Sequence, residues 1–266
     1  MRIALTGKGG SGKTTLAATL ARTYARRGYR VNALDGDPNP NLASAIGISD
    51  DDVARLRRVP REAILDDRHD AAGNATPHLS RPLQEVLAEY GVTGPDAIGV
   101  LTMTGLLGAG KGCICGQHSA VRDVMEQLAS SEPRDVTILD TEASIEHLSR
   151  GTVRNVDALL VVTEPYYRSL ETAGRIVPLA EELGLPEVWV VANKVRNELD
   201  KEAIFQYGAG HGFQIIAAIP YDAAVAEADQ LGRSVMDHAP QGTAVAAIGA
   251  LADILAERLG AAAAAS

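Results

Sequence analysis

Nine residues near the start of the chain, Gly7-Lys8-Gly9-Gly10-Ser11-Gly12-Lys13-Thr14-Thr15, restrict its fold more than any other feature. They fit G-x-x-x-x-G-K-[ST] and stand where that pattern has meaning, after an apolar run at 2–6 and before a helical spacing of Leu16, Leu20 and Tyr24. Glycines let the backbone turn tightly and aim N–H groups at phosphate oxygens. The helix that follows adds the positive end of its dipole. Lys13 is expected to reach the β- and γ-phosphates and the Thr14 hydroxyl to ligate Mg²⁺. Gly9, Gly10, Ser11, Gly12 and Thr15 complete the expected phosphate cradle. An ordinary glycine turn is the alternative, and the full motif in its context disfavours it.

The rest of the chain alternates between strand and helix. Apolar runs at 30–34, 98–103, 136–139, 158–162, 188–191 and 214–219 predict further strands. The first helix should stop at Gly28. Others are expected at 119–128 and 169–183, the latter kinked or divided at Pro178. Val245, Ile248, Leu251, Leu255 and Leu259 mark one face of a last helix. Residues 50–96, charged and proline-bearing, predict short helices and loops, with 83–88 the best helical stretch. Hydrophobic residues make up 46% of the 266 residues and aromatics only 4%, so the core must be aliphatic. The expectation is an α/β fold, a single doubly wound, mostly parallel sheet flanked by helices. Residues 1–260 form one domain in this reading, and 261–266 a frayed alanine tail.

The formal net charge is −9, with no long Lys/Arg run. That balance argues against a sequence-independent grip on nucleic acid. No apolar run spans a bilayer and no leader is visible, so no stable membrane association and a cytoplasmic location are expected. Cys113 and Cys115, the only cysteines, should then be thiols or metal ligands rather than a disulfide.

Two carboxylates are placed at strand ends, where ligand sites form in such sheets. Asp140 ends the run VTIL and is expected to hold Mg²⁺ through water. Asp37 lies in Asp35-Gly36-Asp37-Pro38-Asn39, with Asp35 a secondary candidate or a strand-end cap. Asn193 and Lys194 follow the strand VWVVA. Arg196 stands where a guanine-reading motif needs an aspartate, which favours ATP over GTP. Pro220 and Tyr221 are positioned to flank a base.

The early lysine of Lys8-Gly9-Gly10-Ser11-Gly12-Lys13-Thr14 resembles the deviant phosphate loop of ATPases that include nitrogenase iron protein and the septum-site and partition ATPases. The resemblance implies that Lys8 crosses a dimer interface to the partner's nucleotide and that Asp37 helps position the attacking water. It also implies that Asn193 reads adenine.

Gly112-Cys113-Ile114-Cys115-Gly116 narrows the comparison. In an extended segment the two sulfurs point to one side. A two-fold dimer would bring four thiolates together, a set suited to Ni²⁺ or Zn²⁺. A buried cysteine pair without metal is the alternative. The stretch Asp140-Thr141-Glu142-Ala143-Ser144-Ile145-Glu146-His147 resembles the second switch of the nickel-insertion ATPases that mature carbon monoxide dehydrogenase, with Ser144 where glycine is usual. The Cys-x-Cys segment resembles theirs too.

This family resemblance covers most of the chain. It implies an ATP-hydrolysing homodimer, cycling between ATP and ADP, that delivers metal to an apo-metalloenzyme client such as nickel carbon monoxide dehydrogenase. His118 and His147 are candidate extra ligands, and Glu142 and Glu146 candidate couplers of the switch to the dimer. Two rivals remain. One is an iron–sulfur dimer like nitrogenase iron protein. The other is a metal-free partition or cell-division regulator, whose usual basic membrane helix is absent from the acidic C-terminal segment.

Overall fold

The computed structural model describes residues 1–69, 75–103, 121–125, 134–142 and 153–265. Ten strands lie among them. In chain order they are β1 (Arg2–Gly7), β2 (Arg30–Gly36), β3 (Leu65–His69), β4 (Ala75–Leu79), β5 (Val92–Thr93), β6 (Gly99–Thr102), β7 (Asp135–Thr141), β8 (Ala158–Thr163), β9 (Val188–Val195) and β10 (Ile215–Pro220). Eight make one sheet in the order β10-β9-β8-β1-β7-β2-β6-β5. Its pairings are parallel except β5 against β6. β3 and β4 form a separate antiparallel hairpin.

A parallel sheet needs cover on both faces, and its strands then read as continuous apolar runs. β7 and β8 are buried along their whole length. Along β1, Ile3 and Leu5 join one core layer and Ala4 the other, as alternation requires. The helices Lys13–Arg26 and Thr243–Ala265 cover the first face, with Leu16, Leu20, Leu251 and Leu255 in that layer. The helix Tyr167–Glu182 covers the second through Ala173, Ile176 and Val177.

The helix after the glycine loop stops as its sequence requires. Gly28 takes φ +82°, its N–H donates to Ala25 O, and the Tyr29 N–H donates to Tyr24 O. This is the six-to-one closure that glycine permits after a last turn. Tyr24 and Tyr29 meet edge to face at 5.4 Å between ring centres. Within the same helix, buried Arg22 pairs with Asp96 and Asp237, tying two peripheral segments to the site's central helix.

Three elements extend the expected picture. The helix Tyr167–Glu182 runs through Pro178 undivided. The last helix continues past Gly260 to Ala265, consistent with alanine's high helix propensity. Residues 50–96 hold a hairpin and a short antiparallel edge strand beside their helices, which include Leu83–Tyr90. Of the helix expected at 119–128, residues 121–125 are helical and the remainder lies outside the described residues.

Candidate nucleotide site

The loop between β1 and the helix Lys13–Arg26 sits at the C-terminal end of the sheet's central strand. β8 and β7 flank it. Gly7 has φ +140°, and a Cβ there would lie 2.2 Å from Val162 O. Gly12 has φ +92°, and its Cβ would meet Asn193 Nδ2 at 2.4 Å. Both positions therefore exclude a side chain. Gly12 caps the helix with no side-chain acceptor, and the first turn holds no acidic residue. The helix start keeps amide donors and a positive dipole end for an anion.

Lys13 is 7% exposed, and its Nζ donates to Lys8 O at 3.3 Å. Burial lowers its pKa, while Asp140, Asp37 and Glu142 pull the other way. The Ser11 N–H also donates to Lys8 O, which closes the turn. Lys8 itself is half-buried.

Asp140, at the end of β7, is 1% exposed. Its Oδ2 accepts from Thr14 Oγ1 at 2.6 Å, and its Oδ1 has no partner among the described residues. Burial pushes its pKa up to about 7, against the Thr14 hydrogen bond. A hydroxyl beside a buried carboxylate with one oxygen to spare fits a hard divalent cation such as Mg²⁺.

Asp35, on β2, is likewise 1% exposed. It accepts from the Leu42 N–H at 2.9 Å and the Asp37 N–H at 3.1 Å, and burial raises its pKa to about 6. It thus anchors both ends of the segment that carries Asp37. Asp37 is half-buried and accepts from the Asn39 N–H at 2.8 Å, a local turn that holds its carboxylate near Lys13.

A cleft of about 390 Å³ opens beside the loop. Gly10, Gly12, Lys13, Thr14 and Thr15 line one side, and Asn193, Lys194, Pro220 and Tyr221 the other. Asn193 Nδ2 donates to Ser11 O at 2.7 Å and Lys194 Nζ to Gly10 O at 2.6 Å. The Tyr221 N–H donates to Val195 O, which fixes the loop after β10 to β9. Asp222 closes that loop by accepting from the Ala224 N–H, Thr243 Oγ1 and the Ala244 N–H.

The fold therefore gathers the loop, Asp37, Asp140, Asn193, Lys194, Pro220 and Tyr221 at one sheet end. Gly9 and Ser11 belong to the same loop, Gly9 exposed and Ser11 buried. Cys113, Cys115, His118, Glu146 and His147 lie outside the described residues. The salt bridge from Glu164 Oε1 to Lys194 Nζ at 2.9 Å, and the grip of Asn193 and Lys194 on loop carbonyls, have no local signature in the sequence.

A phosphate loop at the centre of a parallel sheet, with a magnesium-type carboxylate beside it, defines a P-loop nucleotide hydrolase. The chain belongs to the family described as the CobQ/CobB/MinD/ParA nucleotide binding domain, whose model matches residues 3–235, and it is an ATP-binding ATPase. It is 36% identical to the carbon monoxide dehydrogenase accessory protein CooC of Rhodospirillum rubrum, over 90% of this chain and 91% of that protein. It is 35% identical to an uncharacterized ATP-binding protein of Methanocaldococcus jannaschii, over 88% and 91% of the two chains. Among solved structures, a ParA family ATPase from Chlorobium tepidum superposes with a TM-score of 0.69 at 21% identity, covering 94% of this chain and 96% of that one. MinD of Aquifex aeolicus, in its complex with MinC, gives 0.67 at 21%, covering 96% and 94%. Among the described residues no helix is long and apolar enough to cross a membrane.

Proposed function

We propose that this protein is a cytoplasmic, homodimeric metallochaperone that uses ATP hydrolysis to deliver Ni²⁺ during maturation of carbon monoxide dehydrogenase. The observation that carries this reading is the 36% identity, over 90% of the chain, to a carbon monoxide dehydrogenase accessory protein. The Cys113-Ile114-Cys115 segment supports it, since a thiolate pair doubled by a two-fold axis makes a soft four-ligand site for Ni²⁺ or Zn²⁺ as cargo. Residues 1–260 act as one ATPase domain.

In this reading ATP lies in the cleft with its phosphates on Gly9–Thr15. Lys13 neutralises charge on the β- and γ-phosphates, and Lys8 does so for the partner's nucleotide. Mg²⁺, held by Thr14 with Asp140 behind it, supplies further neutralisation when bound. Asp37 orients the attacking water, and its distance from the γ-phosphate depends on the turn that Asp35 anchors. Pro220 and Tyr221 flank the base. The Asn193 amide nitrogen is engaged on Ser11 O, which leaves Oδ1 for the base. That acceptor matches adenine's 6-amino group and opposes guanine's 6-oxo group.

Ordering of the segments around Asp37 and Asp140 by the γ-phosphate then alters the relation of the two subunits. With it changes the geometry of the two cysteine pairs, so that metal is held in one state and released in the other.

The test is activation of apo-carbon monoxide dehydrogenase by nickel-loaded protein. CO oxidation should appear with ATP and fail both with ADP and with the Cys113→Ser/Cys115→Ser variant. Activation that is indifferent to nucleotide and to the cysteines would overturn the delivery role.

A further inference from the structure

We propose that Glu164 is a positioning residue for nucleotide binding, which holds Lys194 against the Gly10 carbonyl and so fixes the shape of the phosphate loop. This rests on the ATP-binding reading alone and is independent of metal delivery.

The geometry begins with strand pairing. β8 and β9 run parallel with Thr163 opposite Ala192, so the residues that follow this pair emerge together at the sheet end. Glu164 follows Thr163 and is 8% exposed. Its backbone is fixed, because its N–H donates to the hydroxyl of buried Ser169 at 3.0 Å and Thr163 Oγ1 donates to the same hydroxyl at 3.2 Å. On the other strand, Lys194 takes φ +55°, a left-handed conformation that a residue with a Cβ adopts only where its surroundings enforce it. Its Nζ lies 2.9 Å from Glu164 Oε1 and donates to Gly10 O at 2.6 Å.

Asn193 and Lys194 therefore grip two successive loop carbonyls, Ser11 O and Gly10 O. A trans peptide points its C=O and N–H in opposite directions. Holding Gly10 O outward sends the Ser11 N–H back to Lys8 O, which is the bond that closes the turn. Holding Ser11 O outward sends the Gly12 N–H to the opposite, phosphate-facing side. The loop's donors are thus aimed by side chains on β9, two strands away from β1.

Charge explains why the anchor is paired. A buried carboxylate beside an anion site would repel the phosphates unless it were neutralised. The Lys194 ammonium neutralises Glu164 and is therefore spent on the scaffold rather than on phosphate. Without Glu164, Lys194 would be a flexible cation with no fixed place, and its hold on Gly10 would loosen.

The experiment compares Glu164→Gln, Lys194→Met and the double variant. It reads the dissociation constant for MgADP by calorimetry, KM and kcat for ATP hydrolysis, and the melting temperature without nucleotide. Glu164→Gln should weaken MgADP binding about tenfold, as expected for loss of one charge-assisted hydrogen bond, and raise KM in step while kcat falls by less than about threefold. Because Glu164 acts through Lys194, the double variant should bind no more weakly than Lys194→Met alone. MgADP affinity in Glu164→Gln equal to wild type would overturn the proposal, as would losses that multiply in the double variant. So would a fall in kcat and melting temperature at unchanged KM, which would assign Glu164 to fold stability only.

Discussion

Asp35 and Asp140 stand opposite each other in register on the neighbouring parallel strands β2 and β7, each only 1% exposed. Burial raises the first to about 6 and the second to about 7; Asp35 adds to the difficulty of ionising Asp140, and Asp37 to that of both. Each group thus binds its proton more tightly in the folded chain than in the unfolded one. The stability they contribute is complete below about pH 4 and is lost as the pH rises through about 6 and then about 7.

Urea unfolding of the nucleotide-free protein should accordingly show a midpoint that falls between about pH 5 and pH 8. Asp140→Asn should flatten that decline and be the more stable protein at the upper end, by roughly 1–3 kcal/mol, the usual cost of a poorly compensated buried polar group. A wild-type midpoint that holds steady over this range would mean that both carboxylates are already ionised and compensated.

The role proposed for Asp37 is to act on water, not to hold nucleotide. Asp37→Asn should keep its affinity for MgATP within a few-fold while hydrolysis slows by about 10²-fold or more. Rapid-quench turnover beside an equilibrium binding curve separates the two. Hydrolysis at the wild-type rate would remove Asp37 from the mechanism.

The role proposed for Lys8, in the partner's site of a homodimer, can be tested by mixing. Lys8→Ala and Asp37→Asn homodimers should each be nearly inactive. A mixed dimer contains one composite site with Asp37 from one chain and Lys8 from the other. Mixing should therefore restore ATPase activity toward about a quarter of wild type, since half the dimers are mixed and each has one intact site. If mixtures stay as inactive as the parents, Lys8 serves its own subunit's nucleotide.

Gly7 and Gly12 gain their necessity from two different neighbours, a backbone carbonyl of β8 and the amide of Asn193. Gly7→Ala forces its Cβ against Val162 O, which cannot retreat without opening the β1–β8 pairing. Its stability should drop by about 2–4 kcal/mol in chemical denaturation. In Gly12→Ala the clash falls on a side chain, so the main loss should be in nucleotide affinity. Equal stability of Gly7→Ala and wild type would mean that the loop is looser than its geometry indicates.

Much of this architecture was legible in the chain because its signals are local. The glycine loop carries its own context, Gly28 stops a helix through its φ, and the buried strands are continuous apolar runs. The hairpin β3–β4 escaped because Asp66, Asp67, Arg68 and His69 are all exposed, and no apolar alternation marks them. β5 is two residues long and exists only by pairing with β6. Asp140 was legible as a strand-end carboxylate, but not its bond to Thr14, 126 residues away. Glu164 and Lys194 were each visible as residues. Their partnership depends on β8 lying beside β9, which only the strand order reveals.

The cysteine pair is proposed to bind metal in a nucleotide-dependent way. The most direct measurement is an anaerobic titration of reduced protein with Ni²⁺, with and without MgATP, beside the Cys113→Ser/Cys115→Ser variant. The expected result is about one ion per dimer, lost in the variant and shifted in affinity by nucleotide. Nickel binding that is absent, or that survives loss of both cysteines, would contradict it and leave an ATPase of this family with a different client.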